Sequence, residues 1–85
     1  MRSVFELNNI LISLRRDLNQ QLEMLTSCKI SMEDSMNIVR EQLGGDQLET
    51  AKPMFSSLTR ATDSMNKAEQ ELTSAIEASL KVPLV

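Results

Sequence analysis

The chain reads as all-α, an antiparallel two-helix hairpin. Three observations predict it. Apolar residues recur at the helical period through both halves. The sequence holds two glycines in all, adjacent at Gly44-Gly45, near its midpoint. Aromatic residues make up 2%, Phe5 and Phe55 alone, so a core must come from Leu, Ile, Met and Ala, the residues of helical seams.

The first helix is expected over 4–43. Its stripe runs Leu7, Leu11, Leu14, Leu18, Leu22, Leu25, Lys29 (or Cys28), Met32, Met36, Val39, Leu43, with a mean spacing near 3.6. That period is not the 3.5 of a strongly supercoiled rod. Ser3-Val4-Phe5-Glu6 fits a capping box at its start. The run Thr26-Ser27-Cys28-Lys29-Ile30-Ser31 is rich in poor helix formers, and Ser31 with Asp34 could cap a new helix. The stripe keeps phase through this run, which favours one continuous helix.

The turn is expected at 44–46, with Gly44 left-handed at the helix end and Asp46 capping the next helix. A link this short brings the second helix back antiparallel. That helix is expected over 47–81 on the stripe Leu48, Ala51, Phe55, Leu58, Thr62, Met65, Ala68 (or Glu69), Leu72, Ile76, Leu80. Pro53 either kinks it or lies in its first turn behind a cap at Thr50; the stripe at Leu48 favours the early start. Asp63/Lys67 and Glu77/Lys81 are acid-before-base pairs on its outer face. Val82-Pro83 ends it, leaving a short tail at 82–85.

Two helices shield one side of each other, and the apolar surface exceeds one stripe. Phe5, Ile12 and Ile30 share an azimuth away from the leucine row. With Ile10, Leu11 and Leu14 they form the expected partner interface. A scaffold of 85 residues with one cysteine has no intrachain disulfide to support it. Completion to a four-helix assembly, by a partner's helical segment or by self-association, is therefore expected.

The chemistry expected is non-catalytic. There is no histidine, which removes the commonest general base and most zinc sites. Cys28 reads as a small packed hydrophobe rather than a nucleophile. Glu33-Asp34, Glu69-x-Glu71 and Asp17 read as solvated charge, and Met32 and Met36 as seam filler. Gly44-Gly45-Asp46 lacks the Lys-Ser/Thr of a phosphate loop. No catalytic, cofactor or metal residues are expected. The net charge of −3, with acids outnumbering bases in both halves, argues against nucleic acid. No apolar run is long enough for a membrane span. A Sec signal is not evident. A cytoplasmic location is the default, and export by a route needing no cleaved signal stays open.

The layout of a long N-terminal helix, a turn at Leu43-Gly44-Gly45 and an amphipathic second helix resembles the small helical hairpins of type VII secretion, the family named for a Trp-x-Gly turn. Gly45 stands at the motif glycine and Leu43 at the tryptophan. No aromatic follows Phe55 to supply the C-terminal export signal. The chain is in this respect more similar to the divergent hairpins that accompany polymorphic toxins. The resemblance implies an adaptor, chaperone-like or co-secreted protein that binds another protein's helices. A type III secretion co-chaperone, or a self-assembling needle-type subunit, is the alternative on shape alone.

Overall fold

A computed structural model describes residues 2–84. It contains two helices, α1 (Val4–Gln42) and α2 (Gly45–Leu80), and no strand among the described residues. They lie side by side and antiparallel, so that Thr26 is opposite Glu69 and Arg40 opposite Phe55. The hairpin measures 64 × 20 × 15 Å.

α1 begins where Ser3 caps it. The Ser3 backbone is extended, and its hydroxyl accepts from the N–H of Glu6 at 3.1 Å. This satisfies one of the donors that a helix start leaves open. The helix then runs unbroken for 39 residues, through Ser27–Ser31. Arg40 lies in its last turn, where the dipole favours a cation.

The reversal falls slightly earlier than expected, and its two glycines exchange roles. Leu43 (φ −83°, ψ 141°) and Gly44 (φ −133°, ψ 159°) are extended, and Gly45 is left-handed at φ +51°. Gly44 is thus the N-cap of α2 rather than the left-handed end of α1, and its carbonyl accepts from the Gln47 N–H at 3.1 Å. Asp46 is not the cap. It sits in the first turn, where its carboxylate faces the positive end of the dipole. The reason is that the chain leaves α1 extended, so the one left-handed step needed to re-enter a helix comes at the second glycine.

α2 starts early and carries Pro53 inside it. Pro53 is exposed, so the Glu49 carbonyl that loses its N–H partner lies on the solvent side, where water can replace the bond. Helix geometry ends at Leu80, capped by Lys81, ahead of Val82-Pro83.

These backbone angles make neighbouring substitutions opposite in sign. Gly45→Ala must hold a Cβ at positive φ and should lose about 1–2 kcal/mol. Gly44→Ser keeps an extended backbone and adds a hydroxyl to an N-cap that has no side-chain bond, so it should gain a few tenths of a kcal/mol. Urea midpoints of the two variants, one below and one above wild type, check this.

Candidate functional site

The seam between the helices is thin. Leu11, Leu18, Leu22, Leu25, Met32 and Met36 of α1 are half-buried against Leu58, Met65, Leu72 and Ile76 of α2. Phe55, at 8% exposure, is the one buried hydrophobic residue among those described. Its ring lies under the Arg40 guanidinium, 4.8 Å from the centroid. Such a contact contributes about 0.5–1 kcal/mol at a half-exposed position.

A polar cluster crosses the middle of the seam. Lys29 occupies the weak rung of the α1 stripe and forms an ion pair with Glu69, the two side chains only 20% and 19% exposed. Lys29 Nζ also donates to Asn66 Oδ1 at 2.9 Å, and Thr26 Oγ1 donates to the second Glu69 oxygen at 2.8 Å. No buried side-chain polar atom in the described residues lacks a partner. Glu69 is therefore not the solvated charge expected from sequence, because it faces Lys29 across the seam. Cys28 is exposed, not packed, since Lys29 and not Cys28 takes the inward position. The hydrogen bond from Lys29, then that from Thr26, holds the Glu69 carboxyl below its ordinary value.

At the open end the same role falls to Arg15, which sequence reasoning did not single out. Its guanidinium donates to the Ser79 carbonyl at 2.6 and 3.2 Å and to the Val82 carbonyl at 2.6 Å. The Ser79 carbonyl, in the last turn of α2, also accepts from the Val82 N–H at 3.2 Å, and the Val82 carbonyl lies just beyond the helix. Arg15 thus supplies a cation at the negative end of the α2 dipole, and its contacts draw the tail against α1. The outer pairs Asp63/Lys67 and Glu77/Lys81 do not form; among the described residues the ion pairs are Lys29–Glu69 and an exposed Lys52–Glu49.

The six residues expected to form one interface are divided by the fold. Leu11 is half-buried in the seam. Ile10 and Leu14 lie on one flank of the hairpin, where they line a groove with Leu7, Val82 and Pro83. Phe5, Ile12 and Ile30 are exposed at 74%, 47% and 51% on the other flank. The separation follows from about 100° of turn per residue on either side of an inward Leu11–Leu18–Leu22 row.

The flanks differ in chemistry. The Ile10–Leu14 side continues toward the turn as Met32, Ser35 and Val39, which share a groove with Met54 of α2. Along α2, residues seven apart from Met54 keep this side, and they are Ala61, Ala68 and Ala75. The opposite side of α2 presents Asn66, Gln70, Thr73 and Glu77. The Ile10–Leu14 flank therefore carries two apolar patches, one at the open end and one near the turn, with Asp17, Gln21 and Cys28 of α1 between them, and the other flank sets Phe5, Ile12 and Ile30 beside polar residues. The methionines Met32 and Met54 line the apolar face rather than a closed core.

No three His, Cys, Asp or Glu side chains are grouped to hold a metal ion among the described residues. No helix is long and apolar enough to cross a membrane. The fold defines a class, an all-helical antiparallel hairpin with large apolar side chains left uncovered on its flanks. Compared with protein-family models, curated proteins and solved structures, the chain matches none.

The ion pair makes stability depend on pH. A carboxyl lowered in the folded state contributes fully above its unfolded value, and that contribution is lost as pH falls through the folded one. The destabilisation caused by Glu69→Gln should be greatest near pH 7 and should shrink from about pH 5 to pH 3. Urea unfolding of both proteins across this range checks it. A gap between the two that stays constant with pH would show that the pair contributes no linkage.

Proposed function

We propose that this protein is a non-catalytic helix-pairing adaptor, which works by lending its hairpin to the helices of another polypeptide. One observation carries the reading. Large apolar side chains including Leu7, Ile10, Leu14, Val39 and Met54 are exposed, while Phe55 is the sole buried hydrophobe described. Apolar side chains left uncovered in this number are a binding surface more often than a cost left standing. The absence of histidine and the commitment of Glu69 to Lys29 support a binding role over acid–base chemistry.

The setting proposed is a bacterial secretion system, with the chain as chaperone-like or co-secreted partner of a larger protein that has a helical leader. This setting rests on the hairpin layout and the Leu43-Gly44-Gly45 turn. The self-assembling alternative differs in outcome, since a subunit with two unlike sticky faces grows into open polymers while an adaptor forms closed complexes.

The test is co-expression with the product of each neighbouring reading frame, followed by mass measurement of the purified complex by light scattering. A stoichiometric complex with a protein bearing a helical leader is the expected result. Leu14→Asp, at an exposed position, should weaken it at least about tenfold by placing an unpaired charge in the interface. Glu77→Gln, on the polar side, should not. Concentration-dependent filaments from the chain alone would favour the structural subunit instead.

A further inference from the structure

Arg15 of α1 stands level with Ser79, and α2 ends at Leu80. Residues 4–14 of α1 therefore run on past the end of α2, by about 16 Å. This overhang carries Leu7, Leu11 and Leu14, the row that packs against α2 further along as Leu18, Leu22 and Leu25. Among the described residues no helix receives the row beyond Leu80.

The tail takes that place by a different geometry. Pro83 does not continue α2 and pushes Val82 toward extended backbone. An extended residue advances about twice as far as a helical one. Residues 82–84 can thus reach about 10 Å, as far as α1 rises from Leu14 to Leu7. Val82 and Pro83 accordingly form one wall of a groove whose other wall is Leu7, Ile10, Leu11 and Leu14. Leu11 is half-buried there, although no residue of α2 stands level with it. The seating is shallow, since Val82, Leu7, Ile10 and Leu14 each stay about half exposed. One side chain fastens it. Arg15 Nε and Nη2 donate to the Ser79 carbonyl, which belongs to α2, and Nη2 donates also to the Val82 carbonyl, which belongs to the tail. Lifting the tail away beyond Lys81 breaks the Val82 bond and leaves the Ser79 bonds in place. Release therefore strands no charge.

We propose that the 82–84 tail is an autoinhibitory strap. In the free protein it covers the apolar overhang of α1, with Arg15 as its latch. It gives way to an amphipathic helix of the partner, laid antiparallel on the overhang and in line with α2. A helix is the occupant because the Leu7–Leu11–Leu14 row continues the α1–α2 seam at the same spacing, and α2 shows what that seam accepts. Strap and partner helix use the same leucines, so the two exclude each other. The inference rests on the adaptor reading and adds how its docking site at the open end is kept covered.

The test uses the full chain in three forms besides wild type. Arg15→Met keeps the aliphatic stem and removes the latch. Val82→Ser with Pro83→Gly keeps the latch and removes the apolar strap. Arg16→Met is the control, since Arg16 bonds to Ser13 on its own helix. All should stay helical by circular dichroism. In methyl-labelled wild type, nuclear Overhauser contacts should join Val82 to Leu11 or Leu14, and Arg15→Met should weaken them at least about threefold. The binding probe is a synthetic 14-residue amphipathic helix of Leu, Glu and Lys, titrated by calorimetry. With the strap closed about nine-tenths of the time, the latch and strap variants should each bind it about tenfold more tightly than wild type and the control. Combining the two variants should add nothing further, because both open the same strap. Val82 contacts that survive in Arg15→Met would overturn the latch. Equal affinity of wild type and both opened variants would overturn the strap. A neighbouring gene product that binds wild type and the opened variants equally well would sink this inference alone and leave the adaptor reading standing.

Discussion

Two long cylinders lying side by side can cover only one strip of each other. In this hairpin that strip holds one buried hydrophobic side chain among the described residues, Phe55. A seam so thin cannot choose its own alignment by shape, because leucines sliding past methionines lose little. The alignment is set instead by directional contacts at three levels: Arg15 on the Ser79 and Val82 carbonyls, Lys29 and Thr26 on Glu69, and Arg40 over Phe55. A slip by one turn would move each partner by about 5.4 Å and strand a half-buried charge.

The polar cluster is accordingly better understood as a register device than as a source of net stability. A half-buried ion pair gives back in desolvation much of what it gains in attraction. Its value lies in what it forbids. Lys29 beside a leucine is worse than Lys29 beside Glu69, so alternative pairings of the two helices are disfavoured. The hydroxyl of Thr26 and the amide oxygen of Asn66 complete the shell, and no buried side-chain polar atom among the described residues is left unpartnered. The same register then fixes which side chains share the outer faces. The apolar face is in this sense a consequence of the cluster.

The two faces also explain the distribution of small residues. Alanine and serine on α2 leave the seam shallow on one side, and the tall residues of α1 on that side are not covered within the hairpin. The short turn at Leu43-Gly44 holds the two helices side by side and leaves these residues uncovered within the hairpin. This is the physical basis of the adaptor reading.

The element types, the continuity of α1 through Ser27–Ser31, the Ser3 cap and the early start of α2 were legible from the sequence. Each depends on local signals, period, cap chemistry and glycine placement, that act within a turn or two of helix. Which glycine turns left-handed was not legible, because that depends on the exit direction of α1 rather than on residue type. Nor was the division of Phe5, Ile12 and Ile30 from Ile10 and Leu14. A helical wheel gives azimuths on one helix, but only the position of the second helix tells which azimuths become one face. Glu69 and Lys29 were readable as weak rungs at 3.6 spacing on their own helices. Their meeting was not, since a charge on a stripe looks like a defect until the opposite charge is placed across from it. Arg15 left no periodic signal at all, because its partners are backbone carbonyls, and those are invisible in side-chain identity. The sequence by itself therefore determined the helices and their reversal, while the tertiary structure decided the register and the faces, because both are relations between residues far apart in the chain.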